Sequence, residues 1–198
     1  MGEEFDGLRR RTGPLNDDLM RQWYGHTWEH AGYDHPNLAN CKNRWTFWNV
    51  AIAFGEGFGK VESLADLSCG DAKIPRALAE FSGIEPILGD YAEGYEYQGT
   101  LQETLPQIDV VDLYVNTNTL EHLDDPDADL RLMREHCRQM LLGVPLDEHE
   151  AAGEHLWEFT KAGIEEMYTE AGFSRVAYCE VDLQPVWEHF KFGLWALQ

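Results

Sequence analysis

The sequence predicts an α/β fold built on a mostly parallel sheet. From residue 63 onward, short apolar runs alternate with stretches that carry apolar residues at helical spacing, and this alternation is typical of parallel strands joined by helices. The run at 63–67 is the clearest example, because a turn of small residues at 68–70 ends it and a helical pattern follows. The last two apolar runs are separated only by residues 182–189, which is too short for a crossover connection, so we expect that pair to be antiparallel.

The first 60 residues show no such alternation. We therefore divide the chain into an N-terminal extension at 1–60 and a larger domain at 61–198. The whole chain has 198 residues, which is enough for one domain with a sizeable core. The elements expected in the extension are, in order, a loose polar tail at 1–15, a helix containing Leu19, Met20 and Trp23, a loop or short helices at 24–43, and a buried helix at 44–54.

In the larger domain, the apolar runs and the residues that begin or end them predict the elements. The expected strands are 63–67, 86–88, one short strand within 91–107, 110–115, 140–144, 176–181 and 190–197. The expected helices are one after residue 71, one at 125–140 with Pro126 in its first turn, and one at 160–171 that Thr160 caps and Gly172 ends. Pro145 is expected to stop the strand that precedes it.

Composition narrows the functional classes. The chain has 15 Lys and Arg against 36 Asp and Glu, a formal net charge of −21, and this charge argues against nucleic acid as a partner. The four cysteines are widely spaced without a C-x-x-C pair, which argues against a zinc ribbon or a redox motif. The N-terminus has no apolar signal core and no run approaches the ~20 residues of a membrane span, so we expect a cytoplasmic protein that is not bound to a membrane.

Five short motifs occur in the same order as in a known enzyme family. They are DLSCGDA at 66–72, GD at 89–90, LEHLDDP at 120–126, LGVP at 142–145, and HLWEFT at 155–160 followed by AGF at 171–173. Together they resemble the class I S-adenosylmethionine-dependent methyltransferases, especially the small-molecule branch. The resemblance covers about residues 63–197. It implies a Rossmann-like, seven-stranded sheet that is mostly parallel, with the last strand antiparallel and helices on both faces.

The resemblance also implies S-adenosyl-L-methionine as the cofactor and places its site. Asp66 and the following turn are expected to hold the methionine end, Asp90 to accept the two ribose hydroxyls, and Tyr91 to stack on adenine. The expected cofactor-binding residues are Asp66, Ser68, Cys69, Gly70, Asp71, Ala72, Asp90, Tyr91, Asn116 and Thr117. The structural alternatives are a buried strand-end acid for Asp66, a helix cap for Asp71 and a turn residue for Asp90.

The chain departs from the family pattern in two places. Ser68 and Ala72 stand where the loop has its first and third glycines, although both are small enough for close approach of a cofactor. The region 99–101 has no acidic residue where the family often has one near the adenine amino group.

The sequence gives fewer indications of which residues contact the methyl acceptor. His155 lies after the fifth strand, where the family usually builds its acceptor pocket, so we expect it to be the base if the nucleophile must lose a proton; a structural histidine is the alternative. The candidates for a lid or a substrate contact are Tyr24, His26, Trp28, His30 and Trp157. His26 and His30 are four residues apart, but H-T-W-E-H is not the zincin H-E-x-x-H pattern, so no metal is predicted.

The predicted activity is transfer of a methyl group to O, N or C of a small-molecule acceptor. The alternatives are a methyltransferase that acts on a protein or nucleic acid, and a binding module without catalytic activity. A dinucleotide-binding dehydrogenase is disfavoured, because G-x-G-x-x-G would need glycine at 68, 70 and 73 and the chain has Ser68 and Lys73. The sequence does not set the oligomeric state.

Overall fold

The computed structural model describes residues 9–11, 38–147, 155–182 and 191–198. The helix predicted around Leu19, Met20 and Trp23 lies outside these ranges. So do the lid candidates Tyr24, His26, Trp28 and His30.

Nine strands and five α-helices make up the regular structure of the described residues. The strands are β1 Arg9–Arg11, β2 Leu64–Asp66, β3 Ile87–Asp90, β4 Tyr97–Gln98, β5 Val111–Thr117, β6 Cys137–Leu146, β7 Trp157–Phe159, β8 Arg175–Asp182 and β9 Lys191–Leu197. The α-helices are α1 Leu38–Gly55, α2 Lys73–Ser82, α3 Leu101–Thr104, α4 Pro126–His136 and α5 Lys161–Glu170. Short 3₁₀ helices occur at Glu56–Phe58, Leu105–Gln107 and Leu120–His122.

Seven of the strands form one sheet in the order β4-β3-β2-β5-β6-β9-β8. The first five of these are parallel to their neighbours, and β9 is antiparallel to both β6 and β8. The predicted seven-stranded, mostly parallel sheet with an antiparallel last strand is therefore confirmed. Because parallel strands end at the same edge of a sheet, the loops after β2, β3 and β5 meet there, where α/β proteins commonly bind ligands.

Helices cover both faces of the sheet, as the sequence predicts. On one face, α1 and α2 contribute Phe47, Ala51, Ile74 and Leu78 to a buried cluster that includes Leu141 of β6. The other face carries a larger cluster, in which side chains of α4 and α5 pack on the neighbouring β6 residues; it includes Leu130, Met133, Ile164, Met167, Met140 and Leu142. Successive side chains of β6 thus point to opposite faces, and each face is closed by helices.

The boundary between α4 and β6 differs from the prediction. The helix predicted to run to residue 140 ends at His136, and Cys137, expected on its apolar face, begins β6. This strand pairs with β5 from Cys137 onward and with β9 up to Leu146. Pairing with β5 decides the conformation of residues 137–139, and the helical spacing of the apolar residues does not.

Pro145 does not stop β6, contrary to the prediction. Pro145 pairs with Phe192 of β9, whereas the pairing of β6 with β5 ends two residues earlier, at Gly143. Proline is tolerated in a strand where one side of its backbone has no partner strand. The strand therefore continues past the proline.

The prediction of a loose tail at 1–15 is wrong for three residues. Arg9–Arg11 form β1, which pairs antiparallel with β7, so that Arg9 lies opposite Phe159 and Arg11 opposite Trp157. The sequence did not mark β7 as a strand, because three residues are too few to show a period. This small second sheet places residues 9–11 beside the segment that follows His155.

The helix predicted at 44–54 is longer, Leu38–Gly55, and it is buried along one face only, with Phe47 in the core and Asn49 exposed. Within the described parts of the chain, no helix combines the length and the apolar character needed to cross a bilayer.

Candidate functional site

The turn after β2 bends sharply and is tied to β3. Gly70 and Ala72 both have positive φ, 56° and 57°, and glycine adopts this conformation without the cost that a side chain adds. The Cys69 amide donates to the Gly89 carbonyl at 3.0 Å, and the Gly70 amide donates to Oδ2 of Asp90 at 2.8 Å. The turn therefore has a fixed shape next to the end of β3.

Asp90 joins the loops that follow β2 and β3. Its Oδ1 accepts the Ala92 amide at 3.0 Å while Oδ2 accepts Gly70, and the residue is only 6% exposed. Each carboxylate oxygen offers about two acceptor sites, so one carboxylate can accept from several donors at once. Asp90 is thus more than the ordinary turn residue considered as the alternative, because it organises the turn after β2.

Asp66, the last residue of β2, is 2% exposed. Its Oδ1 accepts the Ser68 amide at 3.0 Å and lies 3.4 Å from the Ser68 hydroxyl. Burial raises the pKa of Asp66 to about 8; the Ser68 amide opposes this rise, and the neighbouring charge of Asp90 adds to it. A buried carboxyl with this pKa gains a proton readily and would lose it again beside a cation.

Ser68, which stands at a glycine position of the family loop, forms a polar network with the loop after β5. Its Oγ accepts hydrogen bonds from Nδ2 of Asn116 at 3.1 Å and from Oγ1 of Thr119 at 3.0 Å. Asn116 is completely buried, and its Oδ1 accepts no hydrogen bond among the described residues. That oxygen is a buried acceptor beside the turn, which suits a ligand that brings a donor.

Cys69 and Tyr95 lie next to Gly70. The Tyr95 hydroxyl donates to the Gly70 carbonyl, so residues after β3 hold the turn from a second direction. Burial, together with the charges of Asp66 and Asp90, raises the pKa of Cys69 far above its usual value. The thiol therefore stays protonated, which argues against a thiolate nucleophile.

The other predicted cofactor residues lie at the same edge of the sheet. Asp71 accepts the Lys73 amide at 3.2 Å and pairs with the Lys73 ammonium at 2.9 Å, but the N-cap of α2 is Ala72, so Asp71 is not the helix cap considered as the alternative. Tyr91 is half-buried directly after Asp90, and Thr117 is the half-buried last residue of β5. The structure thus brings together the turn, Asp90 and the end of β5 that the sequence singled out.

A second group of polar side chains lies just beyond Thr119. His122 Nε2 is 3.7 Å from Glu121 Oε1, and the rings of His122 and His155 meet edge to face with centroids 4.7 Å apart. One ligand atom from each of the three residues lies within 4.8 Å of the others. The Leu156 amide donates to the Glu121 carbonyl at 2.7 Å, and this bond fixes the segment after His155 beside the 3₁₀ helix Leu120–His122.

Sequence reasoning found part of this site and missed part of it. His155 was singled out, whereas Glu121 and His122 entered only as part of the motif at 120–126. Glu121 and His122 are adjacent in the motif LEHLDDP, but the sequence does not show that they lie close to His155. Trp157 donates from Nε1 to the Leu123 carbonyl at 2.8 Å, which anchors it near this group. The sequence did not indicate a role for Thr119 or Tyr95. Each acts through a hydrogen bond to the turn after β2, and these bonds join residues 51 and 25 positions apart in the chain.

Comparisons with known proteins give structural similarity without sequence similarity. No protein-family model matches the chain, and no curated protein matches it by sequence. The 1,6-didemethyltoxoflavin-N1-methyltransferase of Burkholderia thailandensis, solved with its substrate and S-adenosylhomocysteine, is 16% identical with a TM-score of 0.68, over 98% of this chain and 97% of that one.

Two further solved structures extend this likeness. The magnesium protoporphyrin IX methyltransferase of Synechocystis PCC 6803 with bound S-adenosylhomocysteine has a TM-score of 0.71 at 14% identity, over 92% of this chain and 100% of that one. A methyltransferase of Leishmania major described as S-adenosylmethionine-dependent has a TM-score of 0.62 at 14% identity, over 91% and 82%. At these identities the likeness shows the fold, which is that of the class I methyltransferases, as predicted.

Proposed function

We propose that this protein is an S-adenosylmethionine-dependent methyltransferase that acts on a small-molecule acceptor. One observation carries the proposal: the turn after β2 is held by Asp90 from the end of β3 and faces the loop after β5, with the buried acid Asp66 beneath it. This arrangement lies on the fold of enzymes whose solved structures contain S-adenosylmethionine or S-adenosylhomocysteine.

The residues present fit the cofactor. Its methionine end carries an ammonium group, for which the buried Asp66 carboxyl and the buried Asn116 Oδ1 are suitable acceptors. Asp90 has acceptor sites for ribose hydroxyls, and Tyr91 follows it with a ring able to stack on adenine. Gly70 and Ala72 lack long side chains, so the backbone of the turn can be approached closely.

When bound, S-adenosylmethionine supplies a methyl group on a sulfonium. The acceptor's lone pair forms the new bond to the methyl carbon, the carbon–sulfur bond breaks, and its electrons remain on sulfur, which gives S-adenosylhomocysteine. The protein has to align the two reactants and exclude water. We assign removal of the acceptor's proton to the cluster formed by Glu121, His122 and His155. We assign contact with the acceptor to Trp157.

The small-molecule acceptor is supported by the fold relatives. The Burkholderia enzyme was solved with 1,6-didemethyltoxoflavin, and the Synechocystis enzyme is named for magnesium protoporphyrin IX. The strong net negative charge of −21 supports the same choice over nucleic acid. Three points remain predictions. They are the cytoplasmic location, the methyltransferase domain at 61–198, and the role of residues 1–60 as a cover of the active site, with the candidates Tyr24, His26, Trp28 and His30.

Calorimetric titration of the purified protein with S-adenosylmethionine tests the cofactor. Incubation with the cofactor and a metabolite extract, followed by a mass search for products heavier by one methylene, tests the reaction. We expect saturable binding at one site and at least one methylated small molecule. Binding without turnover would favour the binding module, and label retained on protein or nucleic acid in a filter assay would favour a macromolecular acceptor. Absence of cofactor binding would overturn the proposal.

A further inference from the structure

We propose that Glu121, His122 and His155 form a binding site for a divalent transition-metal ion. We further propose that the ion binds the acceptor through the oxygen that receives the methyl group. The first part concerns this chain's own side chains, and the second part rests on the proposed function. No metal was predicted from the sequence, because the histidines weighed there were His26 and His30.

The side chains have the composition of a metal site. Two imidazoles and one carboxylate present three ligand atoms that all lie within 4.8 Å of one another. The gap of 3.7 Å between His122 Nε2 and Glu121 Oε1 is too wide for a hydrogen bond. An ion bound about 2.0–2.2 Å from each atom fits in that gap, so only small side-chain movements are needed to complete the coordination.

The backbone holds these ligands in place from two directions. Glu121 and His122 belong to the 3₁₀ helix after β5, whereas His155 comes from the segment before β7. The hydrogen bond from the Leu156 amide to the Glu121 carbonyl, 2.7 Å long, joins the two segments directly beside the ligands. Ligands from separate segments on rigid elements give a site its geometry before the ion arrives.

The electrostatic environment favours a cation. Glu121 is 1% exposed, and a cation interacts more strongly with a carboxylate in such a water-poor environment than at the surface. Metal binding uses the neutral form of imidazole, so a bound divalent ion would bring positive charge next to the Glu121 carboxylate. Two histidines with one carboxylate are a donor set for Zn²⁺, Fe²⁺ or Co²⁺, whereas Mg²⁺ and Ca²⁺ prefer oxygen ligands only.

The position of the group indicates what the ion does. Thr119, two residues before Glu121, donates to Ser68 in the turn proposed to hold the cofactor. Three protein ligands leave coordination positions open for a further ligand. An acceptor hydroxyl bound there loses its proton to water at neutral pH, because the ion stabilises the oxyanion. The substrate class is therefore a hydroxylated small molecule, and the product is an O-methyl ether or ester.

Cobalt titration tests the site without cofactor or acceptor. Tag-free protein is treated with EDTA, desalted and titrated with Co²⁺, and bound cobalt is measured by its visible absorption and by elemental analysis. The wild type is compared with His155→Gln, His122→Gln and Glu121→Gln, and with His136→Gln, which changes a half-buried histidine at the end of α4. Circular dichroism confirms that each variant is folded.

We expect one Co²⁺ per chain that depends on all three ligands. Loss of outer-shell partners typically costs about 10–100-fold in metal affinity, and loss of a direct ligand should cost at least as much. His136→Gln should bind as the wild type does. Equal affinity in the wild type and the folded ligand variants, or no specific binding, would overturn the proposal and would leave His155 as a base that acts without metal.

Failure of this inference can be told apart from failure of the proposed function. Cofactor titration in EDTA reports on the turn after β2 alone, and it should be unchanged in His155→Gln. Once an acceptor is known, EDTA should abolish its methylation and Co²⁺ or Zn²⁺ should restore it. Full activity in EDTA would overturn the acceptor-binding role, even if Co²⁺ binds.

Discussion

Asp90 lies 2.8 Å from the amide of Gly70, so the last residue of β3 holds the turn that follows β2. A charged acceptor on a backbone N–H gives a stronger bond than a neutral one. The same carboxylate accepts the Ala92 amide, and both bonds are shielded from water because Asp90 is 6% exposed. The proposed ribose ligand is therefore also the residue that shapes the proposed methionine pocket.

Asp90→Ala is expected to weaken binding of S-adenosylmethionine by at least about 100-fold. The change removes the proposed acceptor for two ribose hydroxyls and releases the Gly70 amide, and a hydrogen bond to a charged group contributes about 1.5–3 kcal/mol. Calorimetric titration measures the loss. Asp109→Ala, an exposed carboxylate before β5, is the matched control and should bind as the wild type does. Unchanged affinity in Asp90→Ala would contradict the assigned role.

Asp66 makes the stability of the cofactor-free protein depend on pH. Its pKa is about 8 in the folded chain and near 3.9 when unfolded. Between these values the folded state holds a proton that the unfolded state lacks, so stability falls as pH rises, by at most about 1.4 kcal/mol per pH unit from this group. Melting temperatures at pH 5.5, 6.5 and 7.5 should fall less steeply in Asp66→Asn. Parallel slopes would contradict the prediction.

Cofactor binding should displace the Asp66 proton. An ammonium group beside the carboxyl favours its charged form, so binding at pH 6.5, well below the pKa of about 8, is expected to release close to one proton. Titrations in two buffers with different ionisation enthalpies measure this release. Asp66→Asn has no proton to give and serves as the control; an equal release in both proteins would place the ammonium elsewhere.

Gly89→Ala is expected to destabilise the protein by about 1–3 kcal/mol through overpacking. A Cβ at this position would lie 2.6 Å from the Tyr97 carbonyl and 2.9 Å from a Leu67 methyl, so β4 would have to move away from β3. Urea unfolding measures the cost. Gly57→Ala is the matched control, because a Cβ there meets no atom within 4 Å, and it should leave stability almost unchanged. Equal midpoints for the two variants would contradict the packing described.

The sequence predicted the fold and the loops that meet at one edge of the sheet well, because both depend on local signals. Apolar runs and the small residues after β2 are contiguous, so the strands of the seven-stranded sheet and the turn at Gly70 could be placed. The errors occurred where pairing between distant segments overrides local pattern. Cys137 has helical spacing from Leu130 but lies in β6, since it pairs with Val111 of β5.

The acceptor side was harder to predict for the same reason. Glu121 and His122 are neighbours in the chain, but His155 lies beside them because the Leu156 amide donates to the Glu121 carbonyl and the Trp157 ring to the Leu123 carbonyl. The pairing of β1 with β7 joins residues about 150 positions apart. Short-range sequence patterns therefore do not predict it.

Ser68→Ala tests the network that replaces a loop glycine. The change leaves Asn116 Nδ2 without its acceptor, and a buried donor that loses its partner costs about 1–3 kcal/mol. The Thr119 hydroxyl loses its 3.0 Å bond to Ser68 and can turn to the Thr117 carbonyl at 3.3 Å. Thr119→Val removes one of these donors, so the double variant should lose less stability than the sum of the single variants. Urea unfolding of the four proteins measures this coupling. Strict additivity would mean that the Thr119 hydroxyl does not depend on Ser68.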